Sequence, residues 1–131
     1  MKLDHIGIAT NRLADSLAVW RDALGLEVDA SEEVVDQGVR IAMLPLGETH
    51  VELLEPLSPE SPIGKFLSKR GPGIHHLAVE VEDIRSALAD LEKKGARLID
   101  REPRVGAGGC LVAFIHPSFT NGVLLELVQR Q

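Results

Sequence analysis

Two short stretches, Asp4-His5-Ile6-Gly7-Ile8-Ala9 and His75-His76-Leu77-Ala78-Val79-Glu80, decide how this chain folds. Each alternates aliphatic side chains with a histidine that is followed by small residues, which is the pattern of a β-strand with two different faces. His5 and His76 stand 71 positions apart. One face of each strand is therefore suited to packing against a helix, and the other leaves room for a ligand beside the histidine.

The same order of elements follows each of these strands. An amphipathic helix comes first and ends at a glycine, Gly25 or Gly95. Asn11 and Asp83 precede the two helices as predicted N-cap residues. Three apolar segments then follow each helix, near 26–35, 39–46 and 49–55 in the first half and near 97–101, 110–116 and 122–129 in the second. We therefore predict two βαβββ modules that arose by duplication.

A connector separates the two modules. Ser61 as N-cap with Pro62 at the first helical position predicts a short helix there. A half-chain of roughly 60 residues would be only marginally stable alone. We therefore expect one domain over residues 1–131, with module 1 at about 1–57, the connector helix at about 58–72 and module 2 at about 73–131.

Composition and charge exclude several classes of function. The net charge of −6 argues against nonspecific binding to nucleic acid or to anionic membranes, because such binding needs a basic surface. Cys110 is the only cysteine, so no intrachain disulfide can form, as is typical of intracellular proteins. No apolar run approaches a membrane span, and the first residues lack the apolar core of a signal peptide. We expect a cytoplasmic protein.

Two acidic residues occupy strands that are otherwise apolar, Glu52 in the first half and Glu126 in the second. Burying a carboxylate is costly unless it is paired or binds a metal. A solvated strand face is the alternative explanation for each acid, as a structural hydrogen bond is for each histidine. The recurrence of one histidine and one glutamate in each half favours a single metal site made by His5, Glu52, His76 and Glu126. Nitrogen and oxygen ligands without thiolate suit Co²⁺, Ni²⁺, Mn²⁺, Fe²⁺ or Zn²⁺ alike.

These residues resemble the vicinal oxygen chelate (glyoxalase/bleomycin resistance/dioxygenase) superfamily, and within it the methylmalonyl-CoA epimerases most closely. The resemblance covers essentially the whole chain. It is carried by the two strand starts, by the double histidine, and by the segments 51–56, 61–67, 114–117 and 122–127. It implies an α+β fold in which two βαβββ modules form a curved, mostly antiparallel sheet around a metal site.

The resemblance also implies a function. The chain would be an isomerase that epimerises methylmalonyl-CoA by 1,1-proton transfer through a metal-stabilised enolate. His5, Glu52, His76 and Glu126 would bind one divalent ion per chain, with Co²⁺ favoured over Ni²⁺, Mn²⁺ and Zn²⁺. Glu126, and after it Glu52, would act as catalytic bases. A second catalytic glutamate has been proposed in the family near residues 39–43, but this chain has no acid there, so the second base stays unassigned.

Partners and weaker candidates complete the interpretation. The resemblance implies an acyl-CoA substrate and a homodimer. Lys65 and Lys69, beside the connector helix, are candidates to contact the phosphates of coenzyme A, with solvated surface charge as the alternative. His50 shares the strand parity of Glu52, so it is either a pocket residue or a partly exposed strand histidine. His116 either orients a ligand or precedes the turn at Pro117.

Three other functions of the same fold compete with this interpretation. A glyoxalase I-type lactoylglutathione lyase uses a similar four-ligand site but needs a glutathione pocket, and the connector at 61–73 favours the epimerase. An extradiol dioxygenase needs only three ligands, so Glu52 argues against it. A drug-binding resistance protein often binds its aromatic drug with aromatic residues, and this chain is only 3% aromatic and has no tyrosine.

Overall fold

The computed structural model describes residues 1–131, and its elements follow one another as βαβββ twice, with one helix between. The strands are Lys2–Ala9 (β1), Ala30–Val34 (β2), Val39–Leu46 (β3), Thr49–Pro56 (β4), Gly73–Glu80 (β5), Arg104–Val105 (β6), Leu111–Ile115 (β7) and Leu125–Gln129 (β8). The helices are Leu13–Leu17 (α1), Pro62–Arg70 (α2) and Ile84–Lys93 (α3). The predicted order of elements is confirmed.

The eight strands form one sheet in the order β2-β3-β4-β1-β5-β8-β7-β6. Within each half the first strand runs parallel to the last, as β1 does to β4 and β5 to β8. The ladders β2–β3, β3–β4, β6–β7 and β7–β8 are antiparallel. The α+β class and the mostly antiparallel sheet are therefore confirmed.

Residues His5–His75 form one compact unit. One face of its strands is buried under the first helical segment: Ala42, Leu44, Val51 and Leu53 are at most 2% exposed, with Leu13, Leu17 and Trp20 packed against them. Burying a side chain such as leucine contributes about 1.5–3 kcal/mol. A slip of one residue in β4 would turn these side chains away from the helix, so the same packing fixes Glu52 on the opposite face.

The other compact unit is made by Met1–Asp4 and His76–Gln131. Helix α3 buries Ile84 and Leu88 against one face of the strands, where Ala113, Ile115 and Leu127 are at most 1% exposed. A second cluster of buried residues contains Ala78, Cys110, Val112 and Val128. The assignment of the chain as a single domain stays a prediction.

The helix ends confirm most of the predicted caps and correct one. Ser61 and Asp83 accept hydrogen bonds from backbone N–H groups of the first turns of α2 and α3, and Gly25 and Gly95 have φ values of 81° and 92°. The prediction that Asn11 caps the first helix is wrong. That helix begins after Arg12 without a cap from its own segment, and a carboxylate oxygen of Glu55 accepts the hydrogen bond of the Leu13 N–H at 2.8 Å.

The first helix also differs from the sequence pattern in its pitch. After Leu17 it continues as a π-helix over Ala18–Ala23, in which the Leu24 N–H donates to the Val19 carbonyl at 2.9 Å. The spacing of apolar residues does not distinguish this i→i+5 bonding from an α-helix. No helix of the structure has both the length and the apolarity to cross a lipid bilayer.

One predicted strand is wrong. The segment 97–101 forms no strand; Leu98 makes an isolated bridge to Ile115, and the strand β6 lies further on, at Arg104–Val105. The Phe114 N–H donates a hydrogen bond to the Asp100 carboxylate at 2.9 Å. In a β-ladder this N–H would instead donate to a backbone carbonyl of the neighbouring strand. The N–H groups of Ile99 and Asp100 both donate to the Phe114 carbonyl, so the segment contacts β7 without forming a regular strand pair.

Candidate active site

In the unit His5–His75, two of the predicted ligands lie side by side. Parallel pairing of β1 with β4 places His5 opposite His50 and Gly7 opposite Glu52. The Nε2 atom of His5 lies 3.4 Å from Oε1 of Glu52, and the two side chains are only 5% and 8% exposed. Gly7 has no side chain to occupy the space between them. A carboxylate removed this far from water requires a charged or hydrogen-bonding partner.

In the other unit, the remaining two predicted ligands repeat this arrangement. The Nε2 atom of His76 lies 3.1 Å from Oε1 of Glu126, and these side chains are 4% and 8% exposed. A small residue, Ala78, is the Cα partner of Glu126 on β5. On the other side Phe114 of β7 pairs with Glu126, and its ring meets the His76 ring edge to face, with centroids 5.6 Å apart. This contact favours one orientation of the His76 imidazole.

The spacing within each pair fits a shared divalent ion. Two ligand atoms bound about 2.1 Å from one ion lie roughly 3.0 Å apart at an octahedral angle and roughly 3.4 Å apart at a tetrahedral one. The distances within the two pairs, 3.4 Å and 3.1 Å, fall in this range. Imidazole nitrogen and carboxylate oxygen are ligands that first-row divalent ions accept. The spacing and the ligand chemistry of each pair therefore fit a divalent metal.

The other histidines have partners of their own. The His50 ring nitrogen Nε2 lies 3.1 Å from a carboxylate oxygen of Asp29, so this residue matches the partly exposed strand histidine rather than a pocket residue. The His116 ring pairs with Ser118, one residue beyond the turn proline, which matches the turn alternative. His75 stacks edge to face with Phe66 at 4.9 Å.

Strand register reveals an acidic residue that the sequence analysis missed. Glu32 on β2 pairs with Ile41 on β3, and Ile41 pairs with Leu54 on β4. Leu54 stands two residues from Glu52, so all of these side chains point to one face of the sheet. Glu32 is exposed and lies on the face that carries the buried Glu52. No local pattern in Ser31-Glu32-Glu33 shows this, because only the register decides which of the two glutamates shares that face.

A second missed feature lies beside His5. Asp4 is 5% exposed, and one of its oxygens accepts hydrogen bonds from Nε and Nη2 of Arg130, at 3.0 and 2.6 Å. Burial opposes the charged form of Arg130, but the hydrogen bond and charge of Asp4, with the charges of Cys110 and Glu80, raise its pKa overall. The pair ties the last residues of the chain to the strand that carries His5.

Several known proteins are similar to this chain over nearly its whole length. The ethylmalonyl-CoA/methylmalonyl-CoA epimerase of Cereibacter sphaeroides is 44% identical over 130 residues, which cover 98% of this chain and 97% of that protein. The crystal structure of a hypothetical protein from Bacillus halodurans matches with a TM-score of 0.97 at 46% identity, covering 99% of this chain and 94% of that one. The crystal structure of methylmalonyl-CoA epimerase from Mycobacterium tuberculosis matches with a TM-score of 0.94 at 39% identity, covering 99% and 88%.

The family assignment rests on a match over most of the chain. The model of one superfamily matches residues 4–114, a segment that includes His5, Glu52 and His76. Because the relatives above are about 40% identical over nearly the full length, the match extends to the remaining strand with Glu126. The chain belongs to the Glyoxalase/Bleomycin resistance protein/Dioxygenase superfamily.

Proposed function

We propose that this chain epimerises methylmalonyl-CoA by 1,1-proton transfer at a divalent metal site. The observation that carries the proposal is the recurrence, in each unit, of a buried histidine–glutamate pair at equivalent strand positions. The substrate is suggested by relatives whose names describe them as epimerases of alkylmalonyl-CoA and whose identity to this chain is 39–44%.

The metal would be held by His5, Glu52, His76 and Glu126. One ligand atom from each of His5, Glu52 and His76 lies within 4.8 Å of the others, which supports their sharing an ion. Glu126 joins this group through its 3.1 Å contact with His76. The donor set does not select among first-row ions, and Co²⁺ is our first candidate by family resemblance, ahead of Ni²⁺, Mn²⁺ and Zn²⁺.

The protein's own residues would carry the proton. When bound, a divalent ion supplies Lewis-acid stabilisation of the negative charge that develops on the substrate oxygen. The Glu126 carboxylate would remove the proton from the α-carbon, and its burial beside Ala78 and Phe114 keeps competing water away from it. Epimerisation also needs a group that returns a proton to the opposite face of the planar enolate.

Two residues are candidates for that second group. Glu52 is the pseudo-symmetric counterpart of Glu126, and either acid would have to loosen its contact with the metal to act as a base, because a metal-bound carboxylate is a weaker base. Glu32 lies on the same sheet face two strands away, which separates the two backbones by roughly 10 Å. Glu32 is exposed and therefore able to exchange its proton with solvent. Replacing each by glutamine and comparing the rates of exchange from the two substrate epimers would assign the role.

We further propose that Lys65 and Lys69 contact the phosphates of coenzyme A. Both are exposed on one side of α2, four residues apart, in a stretch with no acidic residue between Glu60 and Glu80. In a chain with a net charge of −6, such a stretch is a local site of attraction for anions.

The role of these lysines is testable with a truncated substrate. The double variant Lys65→Ala/Lys69→Ala should raise KM for the coenzyme A thioester while leaving KM for the pantetheine thioester, which lacks the nucleotide phosphates, unchanged. Lys94→Ala is the matched control, because Lys94 already pairs with Asp90 at 2.9 Å. An equal rise for both thioesters would contradict a phosphate contact.

A homodimer and a cytoplasmic location stay predictions from the family resemblance and the sequence. Light scattering coupled to size-exclusion chromatography would measure the mass in solution, and a value near 14.2 kDa would mean that the protein is a monomer.

Proton NMR of methylmalonyl-CoA in D₂O tests the proposed function directly. The metal-loaded protein should replace the α-proton by deuterium, and the protein treated with chelator should do so far more slowly. Loss of metal dependence would contradict the proposed site. Absence of exchange, together with isomerisation of the hemithioacetal of methylglyoxal and glutathione, would support the lactoylglutathione lyase instead.

A further inference from the structure

The strand beside Glu52 carries an apolar side chain that the proton transfer does not use. In the β3–β4 ladder Met43 lies directly opposite Glu52, and in the β2–β3 ladder Ala30 lies on the other side of Met43. Directly paired residues stand on the same face of a sheet, with Cβ atoms about 4.5–5.5 Å apart. Met43 is therefore an immediate neighbour of the Glu52 side chain.

Met43 is more accessible than its neighbours on the strand. Ile41, Ala42 and Leu44 are at most 2% exposed, whereas Met43 is half-buried. Its neighbour Ala30 has only a methyl group as a side chain, which leaves space on that side. Met43 is thus an accessible apolar side chain between a buried carboxylate and a small residue, where a substrate substituent has room to pack.

We propose that Met43 determines which alkyl substituent on the substrate's α-carbon the site accepts, an inference that rests on the proposed epimerase function. The α-carbon must lie close to the carboxylates that bind or react, so its substituent comes within reach of the apolar residue next to Glu52. Methionine is unbranched and has three rotatable side-chain bonds, so it adapts to cavities of different shape. The site should therefore accept an α-ethyl group as well as an α-methyl group.

The residue at the equivalent position in the other unit is less able to change its conformation. Phe114 lies opposite Glu126 as Met43 lies opposite Glu52, but its ring is held edge to face against His76. Moving Phe114 would disturb a proposed metal ligand. Of the two residues that stand opposite the acids, Met43 is the one able to change conformation with the substrate.

The experiment compares methylmalonyl-CoA and ethylmalonyl-CoA in the α-proton exchange assay. The wild-type protein should process the two with kcat/KM values within about 10-fold of each other, since one methylene changes binding only modestly. Met43→Phe, which fills the space with a rigid ring, should lower the ethyl-to-methyl ratio of kcat/KM by about 10-fold or more. Met43→Ala should shift the ratio towards the ethyl substrate.

Matched variants separate specificity from damage to the fold. Leu46→Phe adds a similar ring on the same strand at a position that is 43% exposed, and should leave the ratio unchanged. If Met43→Phe does not fold, Met43→Ala and Met43→Leu still test the inference. An unchanged ratio in the folded Met43 variants, with an active wild-type protein, overturns the inference and leaves the proposed function intact. Absence of exchange with either substrate in the metal-loaded wild-type protein overturns the proposed function itself.

Discussion

The two histidine–glutamate pairs resemble each other in register and differ in their surroundings. In each unit a glutamate on the last strand pairs with a small residue on one side, Gly7 or Ala78. On the other side Glu52 faces a half-buried methionine, whereas Glu126 faces a phenylalanine that packs against His76. A duplicated framework thus holds one pair in rigid surroundings and the other in adaptable ones.

This difference suggests a division of roles. A proton-transferring base must be held in one position, because small displacements of reacting groups are costly to rate. The pair His76–Glu126, with its shorter 3.1 Å contact and its aromatic neighbour, suits that role. The pair His5–Glu52, beside Met43, suits the accommodation of substrate, while both pairs would bind the metal.

The largest expected effect concerns the two acids. Glu126→Gln keeps the size and one ligand oxygen but removes the basic carboxylate, so α-proton exchange at saturating metal should fall by roughly 10²–10⁴-fold. Glu52→Gln should have a much smaller effect. NMR in D₂O on both metal-loaded variants measures this. Equal, small losses would mean that the base lies elsewhere and that the division of roles between the units does not hold.

The histidines should be equivalent where the acids are not. Loss of a residue that merely supports a metal ligand costs roughly 10–100-fold in affinity, so loss of a ligand should exceed that. His76→Ala and His5→Ala should each weaken Co²⁺ or Mn²⁺ binding by more than about 100-fold while the far-ultraviolet circular dichroism stays unchanged. Equilibrium dialysis provides the stoichiometry. One ion per chain in the His5→Ala/His76→Ala double variant would rule out the site.

Each unit also contains a charged network that links its strands. The network of Arg130 with Asp4, in the unit of His76, should contribute more to stability than the network of Arg40 in the other unit. Arg130→Met leaves the buried Asp4 carboxylate without its guanidinium partner, which should cost about 2 kcal/mol of unfolding free energy after allowing for the exposure of Arg130. Urea denaturation measures this.

Matched variants sharpen that comparison. Adding Asp4→Asn to Arg130→Met should recover part of the lost stability, because no unpaired charge then remains buried. Arg40→Met removes a network with Glu33 and Glu55 in the other unit and should cost less stability than Arg130→Met, because these carboxylates are more exposed to water than Asp4. A larger loss in Arg40→Met than in Arg130→Met would reverse the ranking.

The sequence predicted the features that depend on neighbouring residues and missed those that depend on register. Ser61 and Asp83 were predictable as caps because each accepts a hydrogen bond from the N–H group of the residue three positions later in the chain. The alternation around His5 and His76, and the order of the elements, likewise depend on local side-chain patterns.

The features that the sequence did not reveal depend on residues far apart in the chain. Glu55 caps a helix that begins 42 residues before it, so Asn11 was the only candidate that a local pattern offered. Glu32 shares the face of Glu52 only through the pairing of three strands. The wrong strand at 97–101 has a similar cause, since the Asp100 side chain reaches the Phe114 N–H fourteen positions away.

The Phe114→Leu variant tests whether the Phe114 ring keeps the His76 imidazole in place, and its expected effect is smaller. Phe114→Leu removes an edge-to-face contact of the kind that contributes about 0.5–1.5 kcal/mol, so metal affinity should fall by about 2- to 12-fold. The matched variant Met43→Leu, at the equivalent position of the other unit, should change metal affinity less. The absorption spectrum of bound Co²⁺ should shift in Phe114→Leu only. The same shift in both variants would contradict the contrast between a rigid and an adaptable pair.

The smallest expected effect compares how the two units cap their helices. Helix α3 is capped by Asp83, which accepts a hydrogen bond from an N–H group three residues later. Helix α1 is capped by Glu55, which lies on strand β4. Loss of a cap costs about 1 kcal/mol, so Asp83→Ala should lower the unfolding free energy by about that amount. Glu55→Ala should cost slightly more, because it also removes the pairing of Glu55 with Arg40. Glu55→Gln should retain most of the stability, because its amide oxygen still accepts the hydrogen bond of the Leu13 N–H.

The two alanine variants should differ in kinetics, since a cap from a distant strand forms only when the unit assembles. Glu55→Ala is therefore expected to act mainly on unfolding, and Asp83→Ala partly on folding, if α3 forms early. Stopped-flow chevron plots measure both rates, and a loss confined to the folding rate in Glu55→Ala would show that β4 and α1 meet before the transition state.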